Sequence, residues 1–149
     1  MSVDTSMTPY VHVAAFCQTA LNEANGVLSL IRLIDRYPIV GQTKEMQPTT
    51  INITLAVVLK SGNMTGSATL SIKPMKPDGN PMPPLNVPVL FEGMERGVGI
   101  ITQMQLALTE PGLYWFDVFI DEVVLLTRIP LRILYQEGQQ IILSQPPTT

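Results

Sequence analysis

Strict two-residue alternation over long stretches constrains this chain more than any other feature. In "TINITLAVVLK", residues 50–60, Ile51, Ile53, Leu55, Val57 and Leu59 fall on one side, with Asn52, Thr54 and Lys60 opposite. "SATLSIKP" sets Ala68, Leu70 and Ile72 against Ser67, Thr69, Ser71 and Lys73. "GIITQMQLALTE" sets Ile100, Thr102, Met104, Leu106 and Leu108 against Gln103 and Gln105. Successive strand side chains point to opposite faces, so each stretch reads as a β-strand with one buried face. The shared core is expected to hold Ile53, Leu55, Val57, Leu70, Ile72, Met104, Leu106, Tyr114, Phe116 and Val118.

Between these runs lie "SGNMTG", "KPDGNPMPP", "EGMERGVG" and "EPG", all rich in turn formers. Asn25-Gly26 separates "YVHVAAFCQTAL" from "VLSLIRLIDRY", a strong hairpin signal because both residues accept positive φ. Helix is weak throughout, with at most one turn expected in "FCQTALNEA". "PIVGQTKEMQP" reads as a connecting loop and "PLNVPVLFE" as a short edge strand, since Pro88 has no N–H for a ladder. The expectation is all-β: a single antiparallel β-sandwich of seven or eight strands, immunoglobulin-like in architecture, with little or no helix. Residues 9–136 form the domain on this reading, 1–8 a flexible N-terminus and 137–149 an at least partly flexible extension.

At 149 residues the chain is long enough to bury a real core. Only 14% of it is charged, against a usual share of about 25%. A net charge of −3 and nine scattered basic residues exclude a phosphate-tracking surface, so no nucleic acid is expected. No apolar run reaches the ~20 residues of a membrane helix, and "MSVDTSMTPY" has no basic start followed by an apolar stretch. The lone cysteine, Cys17, excludes an intrachain disulfide. A cytoplasmic protein with no membrane partner is the expectation. The sequons at Asn52 and Asn63 are then read as chance.

The segments "AAFCQTAL…NGVLSLIRLID", "PDGNP" and "VPVLFEG…EPGLYWFDVFIDEVVLLTRIPLRI" resemble a family of small bacterial proteins that is filed as a domain of unknown function. The resemblance covers roughly residues 10–134. It departs at Asp121-Glu122, where the pattern has Asp-Gly, which implies a less tight turn there. It implies a β-sandwich and no known activity.

Catalytic sets are hard to assemble. His12 and Cys17 are single residues of their kinds, and five positions apart on a strand they face opposite ways. Cys17, in line with Val11, Val13 and Ala15, reads as a buried thiol. Zinc takes three or four N or S ligands and calcium about six oxygens, and neither set is present. Glu92, Glu95 and Arg96 in "FEGMERGVG" offer at most a small polar site in a loop that is otherwise solvated. No cofactor, metal or small-molecule substrate is expected, and the chain is not read as an enzyme.

The last hairpin is different. "EPGLYWFDVFIDEVVLL" puts Trp115 and Phe119 on the side that should meet water. With Asp121-Glu122 as a two-residue turn, Arg128 lies across from Trp115. The inner face is then Tyr114, Phe116, Val118, Leu125, Thr127 and Ile129. The outer face is Trp115, Asp117, Phe119, Val124, Leu126 and Arg128. A contiguous apolar patch of this kind marks an interface. Two alternatives stand beside that reading: the loop with Ile39, Val40 and Met46 covers the patch, or a bulge moves Trp115 inward. The function expected is a non-enzymatic interaction module that binds a protein partner or itself as a homodimer through this face. The alternative is a structural or assembly protein of a phage or other particle.

Overall fold

A computed structural model describes residues 8–24 and 27–138. The Asn25-Gly26 turn, most of the expected N-terminal segment and nearly all of the C-terminal extension lie outside them. Nine strands are described: β1 (Tyr10–Asn22), β2 (Leu28–Ile34), β3 (Arg36–Gly41), β4 (Thr49–Lys60), β5 (Thr65–Met75), β6 (Leu85–Glu92), β7 (Gly97–Leu108), β8 (Gly112–Ile120) and β9 (Val124–Glu137). They form two sheets, in the order β2-β1-β4-β7 and β3-β9-β8-β5-β6. The fold is the expected all-β sandwich of immunoglobulin-like architecture, with nine described strands where seven or eight are expected and one parallel pair, β3 with β9, among antiparallel ones.

The alternating residues close the space between the sheets. Leu55, Val57 and Leu59 of one sheet and Leu70, Ile72, Phe116 and Val118 of the other are almost fully sealed from solvent. Phe16 on β1 meets Phe116 on β8 edge to face, with ring centroids 4.7 Å apart, and so ties the two sheets together. Met104 is only partly buried, because β7 ends its sheet. Tyr114 is buried, and its hydroxyl donates to the Glu110 carbonyl at 2.7 Å. That bond is the tyrosine corner of immunoglobulin-like sandwiches, in which a ring near a strand's start anchors the preceding turn. Gly112, at φ 133°, completes that turn; a side chain there would meet the Pro77 ring.

Two local expectations are corrected. "FCQTALNEA" is not a helical turn but the second half of β1, whose Phe16 and Cys17 pair with Leu55 and Thr54 of β4 while its end pairs with β2. "PIV" is not loop but part of β3, which pairs in parallel with β9, Arg36 beside Arg132 and Val40 beside Gln136. As an edge strand β3 tolerates Pro38, which has no N–H to offer.

The outer face of the last hairpin

The turn at the hairpin's tip begins as expected. Asp121 and Glu122 both take positive φ, 51° and 60°, and the Val123 N–H donates to the Ile120 carbonyl at 3.1 Å. Asp121 is fixed further by β5: its N–H donates to the Thr69 carbonyl at 2.8 Å, and its carboxylate accepts the Thr69 N–H at 2.9 Å. These bonds hold two non-glycine residues in a conformation they otherwise avoid.

Past the turn the ladder departs from the expected register. Ile120 pairs with Val124 and Phe119 with Leu125; the register then shifts, and Val118 pairs with Thr127. The two one-residue displacements restore parity beyond the bulge. Thr127, Arg128 and Ile129 therefore keep their expected faces, but Arg128 lies across from Asp117, and Trp115 across from Pro130. Between the displacements the faces are exchanged. Val124, expected outside, shares the side of buried Ile120 and lines a cleft with Pro9, Met64 and Val123. Leu126, also expected outside, is the extra residue of the bulge and packs against the core. Leu125, expected inside, is 48% exposed and stands beside Phe119. The shift falls at Leu126, which is partly buried against the core, and a bulge there bends the strand and turns its side chains to new faces.

Trp115, Asp117, Phe119 and Arg128 thus share the outer face. The Arg128 Nε donates to Asp117 Oδ1 at 2.7 Å, and its guanidinium carbon lies 4.7 Å from the Trp115 ring centroid. Lys73 on β5 places its ammonium 5.0 Å from the Phe119 ring, with Glu122 at 3.8 Å. Each aromatic is therefore half-buried beneath a cation. Beside Phe119, Ser71 is sealed from solvent and donates to Asn86 at 2.6 Å. The face is a ladder of aromatics and charges, not a bare apolar patch. Of the segment named as an alternative cover, Ile39 and Met46 pack against the core instead and Val40 is exposed. At the tip, Val123, Val124 and Leu125 remain exposed.

Other candidates are less organised. Cys17 is buried on the outer side of the four-stranded sheet, between Thr54 of β4 and Leu33 of β2, and desolvation pushes its thiol pKa up. His12 sits in a bulge between Val11 and Val13 and is exposed. Glu92 pairs with Arg96 at 2.9 Å, and Tyr10 at the start of β1 donates to Glu95, so both carboxylates already have partners. Among the described residues no three His, Cys, Asp or Glu side chains gather to hold a metal ion. An open cleft of about 560 Å³ runs from Cys17 and Asn52 to Arg32 and Tyr37, with Asp35 and Arg36 paired at 3.6 Å beside it. No helix among the described residues is long and apolar enough to cross a membrane.

The model for a family of unknown function (DUF6941) matches residues 12–134. No protein of curated function matches the sequence. Among solved structures, an immunoglobulin-like protein from Pseudomonas aeruginosa superposes with a TM-score of 0.43 at 15% identity, over 87% of this chain and 98% of that one. A β-glucosidase from Listeria innocua gives a TM-score of 0.49 at 9% identity, over 84% of this chain but only 17% of that one. Identities this low carry no activity across.

Proposed function

We propose that this chain, which belongs to the DUF6941 family of unknown function, is a non-enzymatic protein-interaction module that engages a protein partner through the outer face of its last hairpin. The first partner to test is a second copy of the chain. The observation that carries the reading is the Trp115–Arg128–Asp117 arrangement. An arginine held by a 2.7 Å hydrogen bond over an indole, on an open sheet face, has already lost most of its rotamer freedom. Trp and Arg are the residue types that dominate binding energy at interfaces, and a pre-ordered pair adds little entropic cost on binding. Phe119, Leu125 and Lys73 extend the surface across the neighbouring strands.

Phe119→Glu tests it. The new carboxylate has Lys73 beside it, so the fold is kept while an acid is set in the middle of the face. Sedimentation of the wild-type chain should show association that rises over the micromolar range, and the variant should lose the contact made by this face. A wild-type chain whose association is unchanged by Phe119→Glu, and whose Trp115 stays in one environment, contradicts the reading.

A further inference from the structure

Among the described residues four strands end a sheet, and three of them carry a device against pairing with another chain. β2 leaves strand geometry at Arg32, whose φ is 59°. β3 is short and holds Arg36 and Pro38, and β6 contains Pro88. Irregular backbone, charge and proline are the usual ways an exposed edge is kept from templating another strand. β7 has none of them. It runs for 12 residues, Gly97–Leu108, without a charged side chain or a proline. Its ladder to β4 is unbroken from Leu108 beside Thr49 to Gly97 beside Lys60. No described strand pairs with its other edge.

The side chains along this edge point the same way. Val98, Ile100 and Met104 face the core and pair with Leu59, Val57 and Ile53, which are sealed. They are themselves only partly buried, because no described strand lies beyond them. Beside the far half of β7, Pro81, Met82 and Pro83 form a groove with Met104 and Leu106.

We propose that β7 is the pairing edge for β7 of a second copy, antiparallel about a two-fold axis, so that two four-stranded sheets become one. For both cores to lie on the same side, each residue must oppose one of its own parity. A register centred on Thr102 does this over almost the whole strand. Ile100 then meets Met104 of the second copy, Val98 meets Leu106 of the second copy, and Ile101 meets Gln103 of the second copy. No charge opposes a charge, and each copy's Val98 and Ile100 arrive at the other's proline-lined groove. Backbone hydrogen bonds supply affinity, and the alternate side chains fix the register. One strand pair buries less than the roughly 800 Å² per partner of a standard interface, so micromolar association is expected. The edge is separate from the hairpin face. A chain that uses both contacts assembles beyond a dimer.

The test works in a Phe119→Glu background, which removes the hairpin contact. Ile101 and Gln103 are exposed, so charges there spare the core. Ile101→Lys/Gln103→Lys and Ile101→Glu/Gln103→Glu each set like charges opposite one another. Each should weaken the dimer at least 100-fold at low salt, with an unchanged melting temperature at concentrations where the parent chain is monomeric. An equimolar mixture of the two should regain it as a heterodimer, read by sedimentation and native mass. A Phe119→Glu chain that stays monomeric to millimolar concentration, or a dimer that survives both charge sets, overturns the proposal. Loss of all association with Phe119→Glu alone supports the hairpin contact and refutes this edge. A dimer that ignores Phe119→Glu but yields to the edge charges does the reverse.

Discussion

Replacing Phe116 with alanine tests the sandwich where its two sheets meet. The ring is fully buried and packs edge to face against Phe16, 4.7 Å away on the other sheet. Deleting a core phenylalanine costs roughly 3–5 kcal/mol, from lost transfer energy and from a cavity that the neighbours cannot close. About 1 kcal/mol of that is the ring pair itself. Its ladder neighbours, Pro74 and Ile129, are fixed in paired strands, so little collapse into the space is expected. For a domain of this length each kcal/mol lowers Tm by about 2–4 °C, which gives a fall of roughly 6–20 °C by calorimetry. Phe119→Ala is the control. That ring lies on the outer face, half-covered by Lys73, and its removal should cost about 1 kcal/mol at low protein concentration. An unchanged Tm for Phe116→Ala, or equal losses for the two variants, would show that the faces of β8 are inverted.

Tyr114→Phe keeps the ring and removes only the donor to the Glu110 carbonyl; it should cost about 1–2 kcal/mol in urea unfolding with an unchanged m-value. Stability should fall as pH rises above about 9: burial raises the Cys17 thiol and Tyr114 phenol above their ordinary values, so the unfolded chain loses those protons first and is favoured. The same burial should make Cys17 react slowly with a thiol reagent until denaturant is added, and prompt full labelling of the native protein would contradict its placement. A chelator should leave the melting curve in place, because no ligand cluster for zinc or calcium is gathered among the described residues.

The sandwich was legible because its core strands alternate almost without exception, and alternation is set by burial on one face. β3 was not legible, because its pairing strand, β9, lies far along the chain and Pro38 argues locally against a strand. In "FCQTALNEA" the short, helix-tolerant side chains were overridden by the ladder to Leu55 and Thr54. The site was half legible. Turn chemistry at Asp121-Glu122 fixes the first hydrogen bond of the hairpin, but a bulge at Leu126 shifts the register beyond it. Trp115, Asp117, Phe119 and Arg128 survived that shift, because two displacements of one residue restore parity. Val124, Leu125 and Leu126 lie between the displacements and did not. Lys73 went unconnected to the face since it comes from β5, and only the β5–β8 register sets it next to Asp117 and near Phe119.

Trp115 is the chain's single tryptophan, so its emission reports the hairpin face and no other surface. The direct measurement is the emission maximum of the wild-type protein on dilution from millimolar to nanomolar, alongside Phe119→Glu. The account predicts a red shift through the micromolar range as the indole loses its partner and meets water, and a maximum in the variant that is red-shifted from the start and does not move. Emission that stays constant in the wild-type chain while its sedimenting mass falls would contradict the claim that this face is where the protein associates.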